Sequence, residues 1–183
     1  MNKGTGGKGA SRIALGGIIA SLMSVIMLAS YFPYLTYAIP AAAGLLLVVP
    51  MVEMGVTWSV MTYLSASAVV LLTAEGEAKI LFLVFFGYYP MIKALVERLT
   101  SRLAEYIIKF SVFNLAVGVY GVASVFLLSI PISEFTESMF GAVTLPLLIL
   151  GGNIVFWLYD KGLTQVITLY ILRIHPTVKK LLK

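Results

Sequence analysis

The sequence contains no cysteine and a single histidine among its 183 residues. The lack of cysteine excludes disulfide frameworks, thiolate metal sites and cysteine nucleophiles. The lone histidine, His175, argues against a histidine-built metal centre and against a Ser–His–Asp triad. Charge is scarce as well: 11% of the residues are charged, whereas an ordinary soluble domain has about 25%. These absences argue strongly against the soluble enzyme classes.

Apolar residues take the place of the missing polar ones. Hydrophobic residues make up 60% of the chain, and the mean hydropathy is +1.00. So few polar side chains cannot cover a surface that faces water. A membrane-spanning helix needs about 20 mostly apolar residues, and the chain contains several runs of this kind. The sequence therefore predicts an all-α, polytopic membrane protein.

Prolines, glycines and charged residues divide the chain into six predicted membrane spans, which form one bundle domain. The second span is barely long enough, because Pro50 and Glu53 close it. After Gly162, apolar residues recur at helical spacing. This spacing predicts either an amphipathic helix on the inner surface, bending away from the sixth span, or a continuation of that span. The predicted segments are a flexible basic tail at 1–11, spans at 12–30, 35–52, 56–73, 79–97, 106–130 and 142–159, the amphipathic helix at 163–175 and a basic tail at 176–183.

The basic residues predict the orientation of the spans, since cytoplasmic loops of membrane proteins are enriched in lysine and arginine. With six spans and a cytoplasmic N-terminus, all of the 13 basic residues except Lys79 lie on the inner side. We therefore expect both termini in the cytoplasm. The net charge of +5 then reflects this topology and the anionic inner leaflet, and no nucleic-acid partner is needed to explain it.

The carboxylates give no indication of catalysis. All eight acidic residues fall at predicted helix ends or in loops. None lies in the middle of a span, where a charge would indicate a proton relay or an ion site. The sequence also has no Walker loop and no HExxH motif. We therefore expect no catalytic residue, no metal, no cofactor and no enzyme activity, so that any uphill transport would draw its energy from a partner.

Small and polar residues predict contacts between helices. The first span carries small residues at overlapping spacings of four, a pattern that supports close helix association in lipid. Packing within the bundle and docking of a partner subunit both explain this pattern. In the fifth and sixth spans, Asn114 and Asn153 are predicted to share a depth and to hydrogen-bond to each other, with substrate contact as the alternative. The predicted partner-binding residues are Ala14, Gly16, Gly17, Ala20 and Ser21.

The outer side of the bundle is predicted to combine aromatic rings with a few polar groups. Tyrosines in the first loop either form an interfacial aromatic belt or line a small-molecule site. Because the outer carboxylates outnumber the single lysine there, a neutral or cationic ligand is favoured. Tyr88, about 13 Å along the fourth helix from Lys79 at 1.5 Å per residue, is the predicted floor. The candidate substrate-binding residues are Tyr34, Tyr37, Lys79, Tyr88, Glu134 and Glu137.

This layout resembles the substrate-binding S component of an energy-coupling factor (ECF) transporter. Proteins of that family are six-helix bundles whose first helix opens with a basic residue and a small-residue-rich run, here RIALGGIIAS at 12–21. Glycine–alanine and glycine–serine pairs stand here in place of the family's two alanines four apart. The resemblance covers about residues 10–175. It implies capture of a vitamin or similar micronutrient in a bacterial cytoplasmic membrane, energised by a transmembrane coupling subunit and two ATPase subunits.

Two other functions fit the same bundle. One is a non-transporting membrane scaffold, such as a relative of the rod-shape protein MreD. The other is a small passive channel or a lipid-handling protein. A closed, aromatic-lined outer cavity favours the S component, an empty, dry outer bundle favours the scaffold, and a continuous wet pore favours the channel. Two distinctive segments, FGYYP at 86–90 and GNIVFWLYD at 152–160, receive no role from the sequence.

Overall fold

The computed structural model describes residues 5–129 and 144–181. Over these residues the chain is helical and has no strand. A 3₁₀ turn at Ala29–Tyr31 follows the first helix, and π-helical turns occupy Phe82–Phe86 and Tyr170–Ile174. The α-helices of this part of the chain are α1 Thr5–Leu28, α2 Ala38–Leu45, α3 Val48–Met54, α4 Val56–Thr73, α5 Gly76–Leu81, α6 Tyr89–Val96, α7 Arg102–Leu128, α8 Thr144–Leu169 and α9 His175–Leu181.

The outside of the bundle is apolar, as expected of a protein in lipid. On α7, for example, Leu115 and Phe126 are exposed, whereas Ala116 and Ser124 are buried. Exposed apolar surface on this scale is rare in soluble monomers. The all-helical architecture predicted from composition is therefore confirmed for the described residues, and their apolar surface is compatible with a membrane helical bundle. Among them, four segments are long and apolar enough to cross a membrane: Gly9–Tyr31, Val56–Thr73, Gly76–Val96 and Arg102–Leu128. The count of six spans stays a prediction.

The predicted second span at 35–52 is divided into two short helices, α2 and α3. Pro40 and Pro50 lie in the first turns of these helices, where a missing N–H breaks no helical hydrogen bond. The prolines therefore set two helix starts. The apolar stretch Ala38–Met54 is shorter than each of the four long segments, of which Val56–Thr73, with 18 residues, has the smallest length. At its end Gly55 adopts a φ of +85°, which turns the chain into α4.

Both predicted tails contain helix. The α1 helix begins at Thr5, so the prediction of a flexible tail at 1–11 is wrong for residues 5–11. Once the apolar span has formed a helix, each further residue adds a hydrogen bond at little entropic cost. At the other end, α9 covers His175–Leu181 and so includes most of the predicted tail at 176–183.

The α8 helix continues past the predicted end of the sixth span. It runs through Gly162 to Leu169 without a break, so residues 163–169 extend this helix and do not start a separate one. An isolated glycine costs a helix only about 1 kcal/mol. Leu163, the next residue, is fully buried and packs the extended helix against the bundle.

The core has two parts that meet at the π-helical turn Phe82–Phe86. One part packs α1, α2, α4 and α5 through small and flexible side chains such as Met23 and Ala66. The other is mostly aromatic and packs the turn and α6 against α7 and α8. At the junction, Gly44 of α2 lies so close that an added Cβ would collide with the carbonyl of Phe86. This close approach fixes the position of the turn, which carries much of the candidate site.

Candidate functional site

A cavity of about 350 Å³ lies among the π-helical turn Phe82–Phe86, α7 and α8. We call it the aromatic cavity, because seven aromatic rings line it together with aliphatic side chains and Gly152. In the part of the chain that the structure describes, no charged residue lines it. Both the size and the apolar lining are typical of small-molecule sites. The aromatic lining residues are Tyr37, Phe85, Phe86, Phe113, Tyr120, Phe156 and Tyr159.

The π-helical turn places two neighbouring aromatic residues in this lining. The Gly87 N–H donates to the carbonyl of Phe82 at 2.8 Å, which spans five residues and widens the helix locally. Both Phe85 and Phe86 line the cavity as a result. Turns of this kind occur mostly as single insertions in α-helices and are frequent at functional sites.

Stacked and edge-on rings hold the wall of the cavity in place. The rings of Phe113 on α7 and Phe156 on α8 stack with a centroid distance of 4.7 Å and an angle of 6°. Phe85 meets both rings edge-on, at 5.5 and 5.7 Å. Each such aromatic pair contributes about 0.5–1.5 kcal/mol beyond its buried area. The contacts therefore join three helical segments around a preformed space.

One tyrosine of the cavity wall has a hydroxyl without a partner. The hydroxyl of Tyr159 is buried and has no hydrogen-bond partner among the described residues. Buried tyrosine hydroxyls usually have one. The neighbouring Tyr89, 5.8 Å away between ring centroids, donates its hydroxyl to Asp160 Oδ1 at 2.7 Å. Of these two tyrosines, therefore, only Tyr89 has its hydroxyl satisfied by the described residues.

A buried group of charges lies directly beyond Tyr89. Lys93 is 0% exposed, and its ammonium lies 2.6 Å from Asp160 Oδ1. Lys109 is 2% exposed and lies 2.8 Å from Glu97, 2.7 Å from Glu105 and 3.3 Å from Asp160. Lys93 also pairs with Glu97. We call these five residues the ionic cluster. Because burying an unpaired charge is costly, this multiple pairing is what allows the two lysines to lie inside the bundle, where they join α6, α7 and α8.

The ionic cluster was not predicted from the sequence. Lys93 and Lys109 were expected among the basic residues that mark the cytoplasmic side, but the structure pairs both inside the bundle. Only a weak local signal existed, namely the i,i+4 spacing of Lys93 with Glu97 and of Glu105 with Lys109. The third carboxylate, Asp160, lies 67 positions from Lys93, and no local pattern links the two.

The two distinctive segments without an assigned role meet at this site. Tyr89, from the segment at 86–90, donates to Asp160 from the segment at 152–160. Phe86 and Tyr159, from the same two segments, pack edge-on at 5.1 Å. Together the segments supply part of the cavity and its link to the ionic cluster.

The predicted residues of the first loop lie in different places. Tyr37 lines the aromatic cavity. Tyr34 is 98% exposed and is not among the lining residues. Glu134 and Glu137 lie outside the described residues. Of the two first-loop tyrosines, Tyr37 is therefore placed at the cavity and Tyr34 is not.

The two predicted residues of the fourth span point to other contacts. The Lys79 ammonium donates to the carbonyl of Leu71 at 3.4 Å. The ring of Tyr88 packs edge-on against Tyr63 of α4 at 6.2 Å. Neither Lys79 nor Tyr88 lines the aromatic cavity. The next residue, Tyr89, contacts the aromatic wall instead, because successive residues of a helix point in directions about 100° apart.

The small residues of α1 divide between two faces. Gly16 and Ala20 are buried, and a Cβ on Gly16 would lie 3.1 Å from the hydroxyl oxygen of Thr62 on α4. The pair Gly16–Ala20 therefore packs within the bundle. A Cβ on Gly17, in contrast, would meet no atom within 4 Å among the described residues. The exposed members of the predicted partner-binding set are Ala14, Gly17 and Ser21.

The predicted bond between the two asparagines is confirmed. Asn114 donates to Asn153 at 3.0 Å, and Asn153 donates to Asn114 at 3.1 Å. Each amide also donates to a carbonyl of its own helix, at 2.8 Å to Phe110 and at 2.8 Å to Ile149. These bonds use both amide hydrogens of each side chain, which favours the structural role over substrate contact.

Hydrogen bonds to Glu53 hold the C-terminal segment against α3. The hydroxyl of Tyr170 donates to Glu53 Oε1 at 2.7 Å, and Nδ1 of His175 lies 2.8 Å from the same oxygen. Burial, and then the hydrogen bond to Glu53, raise the pKa of the Tyr170 phenol above its ordinary value. The phenol therefore stays protonated and remains a donor to the carboxylate.

Comparison with known proteins identifies no relative of this chain. No protein-family model, no curated protein and no solved structure matches it. The function is therefore argued from the aromatic cavity, the ionic cluster and the helix faces.

Proposed function

We propose that this chain is the substrate-binding subunit of a membrane transporter and that it binds a small organic molecule in the aromatic cavity. The observation that carries the proposal is the cavity itself, about 350 Å³ in volume and lined by seven aromatic rings. Protein interiors are close-packed and have few voids larger than a water molecule. A space of this size with an aromatic lining suits a ligand.

The resemblance to the S component of an ECF transporter supports the same function. On this proposal the chain has six spans and both termini in the cytoplasm of a bacterial membrane, and it captures a vitamin or similar micronutrient. A separate transmembrane coupling subunit and two ATPase subunits supply the energy. The exposed small residues of α1 are the proposed contact with the coupling subunit. They are Ala14, Gly17 and Ser21.

The two alternative functions receive less support. A scaffold needs no internal cavity. A passive channel needs a path that an ion or a polar solute can follow. No charged side chain of residues 5–129 and 144–181 lines the aromatic cavity, and the charges of the adjoining ionic cluster are paired with one another. Binding therefore accounts for more of the site than scaffolding or conduction does.

The proposal is tested by ligand-induced stabilisation of the purified protein. A panel of vitamins and related micronutrients is added in detergent, and the unfolding midpoint Tm is followed by tryptophan fluorescence. A ligand at 100 times its Kd adds about 2.7 kcal/mol, which corresponds to a rise of roughly 5–10 °C for a chain of this size. The matched control is Ala116→Phe, because Ala116 is buried and lines the cavity. No rise with any compound, or an equal rise in the filled variant, would contradict the proposal.

Two tyrosines of the first loop provide a finer comparison. Tyr37→Ala removes a ring that lines the cavity and should weaken binding of any compound found in the panel. Tyr34→Ala removes a ring that is 98% exposed and should leave binding unchanged. Equal effects of the two changes would place the site in the loop and not in the cavity.

A further inference from the structure

We propose that the ligand is an uncharged, largely apolar ring compound, and that it enters the aromatic cavity from the lipid phase through a cleft between α7 and α8. This inference rests on the proposed function, because it names the chemistry and the route of the molecule that the cavity binds. Three observations carry it: a second cavity beside the first, open space at two glycines, and the absence of charge from both linings.

The cleft is a second cavity of about 550 Å³ between α7 and α8. It shares four lining residues with the aromatic cavity: Phe113, Val117, Tyr120 and Gly152. The two cavities therefore border on each other. Leu148 and Ile149 of α8 also line the cleft and are exposed on the outer surface of the bundle. In a membrane-embedded protein this surface contacts lipid, so the cleft connects the lipid phase with the aromatic cavity.

Glycines keep the cleft open. In membrane helices small residues usually allow neighbouring helices to approach closely. A Cβ added to Gly118 or Gly121 would instead meet no atom within 4 Å among the described residues, although both glycines line the cleft. The missing side chains thus leave room between α7 and α8. Beyond them the helices are joined by the bonds between Asn114 and Asn153.

The linings indicate an uncharged ligand. Among the described residues, no charged residue lines either cavity, and a charged group without a counter-ion is costly to bury. Aromatic rings offer flat apolar surface for stacking. The amide of Asn114, which lines the cleft, is already bonded within the protein, and the hydroxyl of Tyr159 is buried away from the surface of the aromatic cavity. These linings fit a largely apolar ring compound.

The chemistry is tested with probes that differ in charge. N-phenyl-1-naphthylamine is neutral, and 8-anilino-1-naphthalenesulfonate has the same rings with an added sulfonate. A quaternary ammonium derivative of the neutral probe supplies the cationic arm. Binding to the protein in phosphatidylcholine nanodiscs is followed by energy transfer from tryptophan, with empty nanodiscs as background. We expect saturable binding of the neutral probe and at least tenfold weaker binding of both charged probes. A charged probe that binds as tightly as the neutral one would overturn the assignment.

Cavity-filling variants separate the proposed function from this inference. Ala116→Phe should abolish the saturable signal of the neutral probe. Should that variant not fold, Val155→Phe provides the same test, since Val155 lines the cavity but is 66% exposed. If no probe gives a saturable signal that these changes remove, this inference fails, whereas a panel compound that raises Tm in the unmodified protein but not in Ala116→Phe keeps the proposed function. If no panel compound does so either, the proposed function fails as well.

The route is tested by filling the cleft. In Gly118→Leu/Gly121→Leu the new side chains occupy its open space. The matched control is Gly151→Leu, because Gly151 also has no atom near an added Cβ yet lines neither cavity. In stopped-flow mixing with the neutral probe, we expect association and dissociation rates to fall together by at least tenfold. The Kd should stay within twofold, and the control should match the unmodified protein. Should the double variant not fold, Gly118→Leu alone serves.

Unchanged rates in a folded cleft variant would overturn the route while leaving binding in the cavity intact. A weaker Kd with unchanged association would also overturn it, because the cleft would then be part of the binding site and not a path toward it.

Discussion

Tyr159 and Tyr89 lie side by side at the aromatic cavity, yet their hydroxyls have opposite surroundings. Their ring centroids are 5.8 Å apart. The hydroxyl of Tyr89 donates to Asp160 at 2.7 Å, whereas that of Tyr159 is buried without a partner among the described residues. Replacing either residue by phenylalanine removes one oxygen and keeps the ring. We therefore expect the two changes to alter the free energy of unfolding in opposite directions.

The magnitudes follow from these contacts. A buried polar group without a partner costs roughly 1–3 kcal/mol, so Tyr159→Phe should raise the free energy of unfolding of the ligand-free protein by about 1–2 kcal/mol. A hydrogen bond to a charged group contributes about 1.5–3 kcal/mol, and Tyr89→Phe should lower the free energy of unfolding by about that amount. For a chain of this length, 1 kcal/mol shifts Tm by about 2–4 °C.

The assay is thermal unfolding in detergent, followed by the fluorescence of the two tryptophans. Both variants are compared with the unmodified protein at the same detergent concentration and without ligand. Tyr89→Phe acts as the matched control, because it makes the same chemical change on the same aromatic wall. A Tyr159→Phe protein that loses as much stability as Tyr89→Phe would refute the reasoning. Its hydroxyl would then have a hydrogen-bond partner in the folded protein.

Three further predictions concern contacts between helices. Gly16→Leu should lower Tm, because even a Cβ there lies 3.1 Å from a side chain of α4. Gly17→Leu should keep Tm and prevent co-purification with a coupling subunit, and equal losses of Tm would show that both glycines pack inside. Asp160→Asn should lower the free energy of unfolding by about 3–5 kcal/mol, because two buried ammonium groups lose a shared carboxylate. Glu105→Gln should lower it by less, because the Glu105 side chain is 21% exposed. Equal losses of stability in the two variants would contradict the importance of Asp160. Asn114→Ala should lower the free energy of unfolding by about 1 kcal/mol, because it removes two interhelical hydrogen bonds that contribute roughly 0.6 kcal/mol each on average. Loss of ligand binding at unchanged stability would contradict the structural role of Asn114.

Composition and spacing were sufficient to predict the class of the protein and much of its local structure. An apolar chain in lipid must satisfy its backbone within helices or closed barrels, so long apolar runs such as 56–73 predict helices directly. The α4 helix has those bounds, Val56–Thr73. The bond between Asn114 and Asn153 was also predictable, because the fixed rise per residue sets the depth of a side chain in a span.

Rotation and packing of the helices decided the rest. Gly16 and Gly17 are adjacent in sequence, but only the packing of α1 on α4 determines that the first is buried and the second exposed. The ionic cluster joins Lys93 to Asp160 across 67 positions, a pairing that depends on where three helices meet. The aromatic cavity is a space left between elements and not a property of any one of them. Side-chain chemistry sets which contacts are possible, but the burial that makes a charge pair or an unpartnered hydroxyl consequential arises only in the assembled fold.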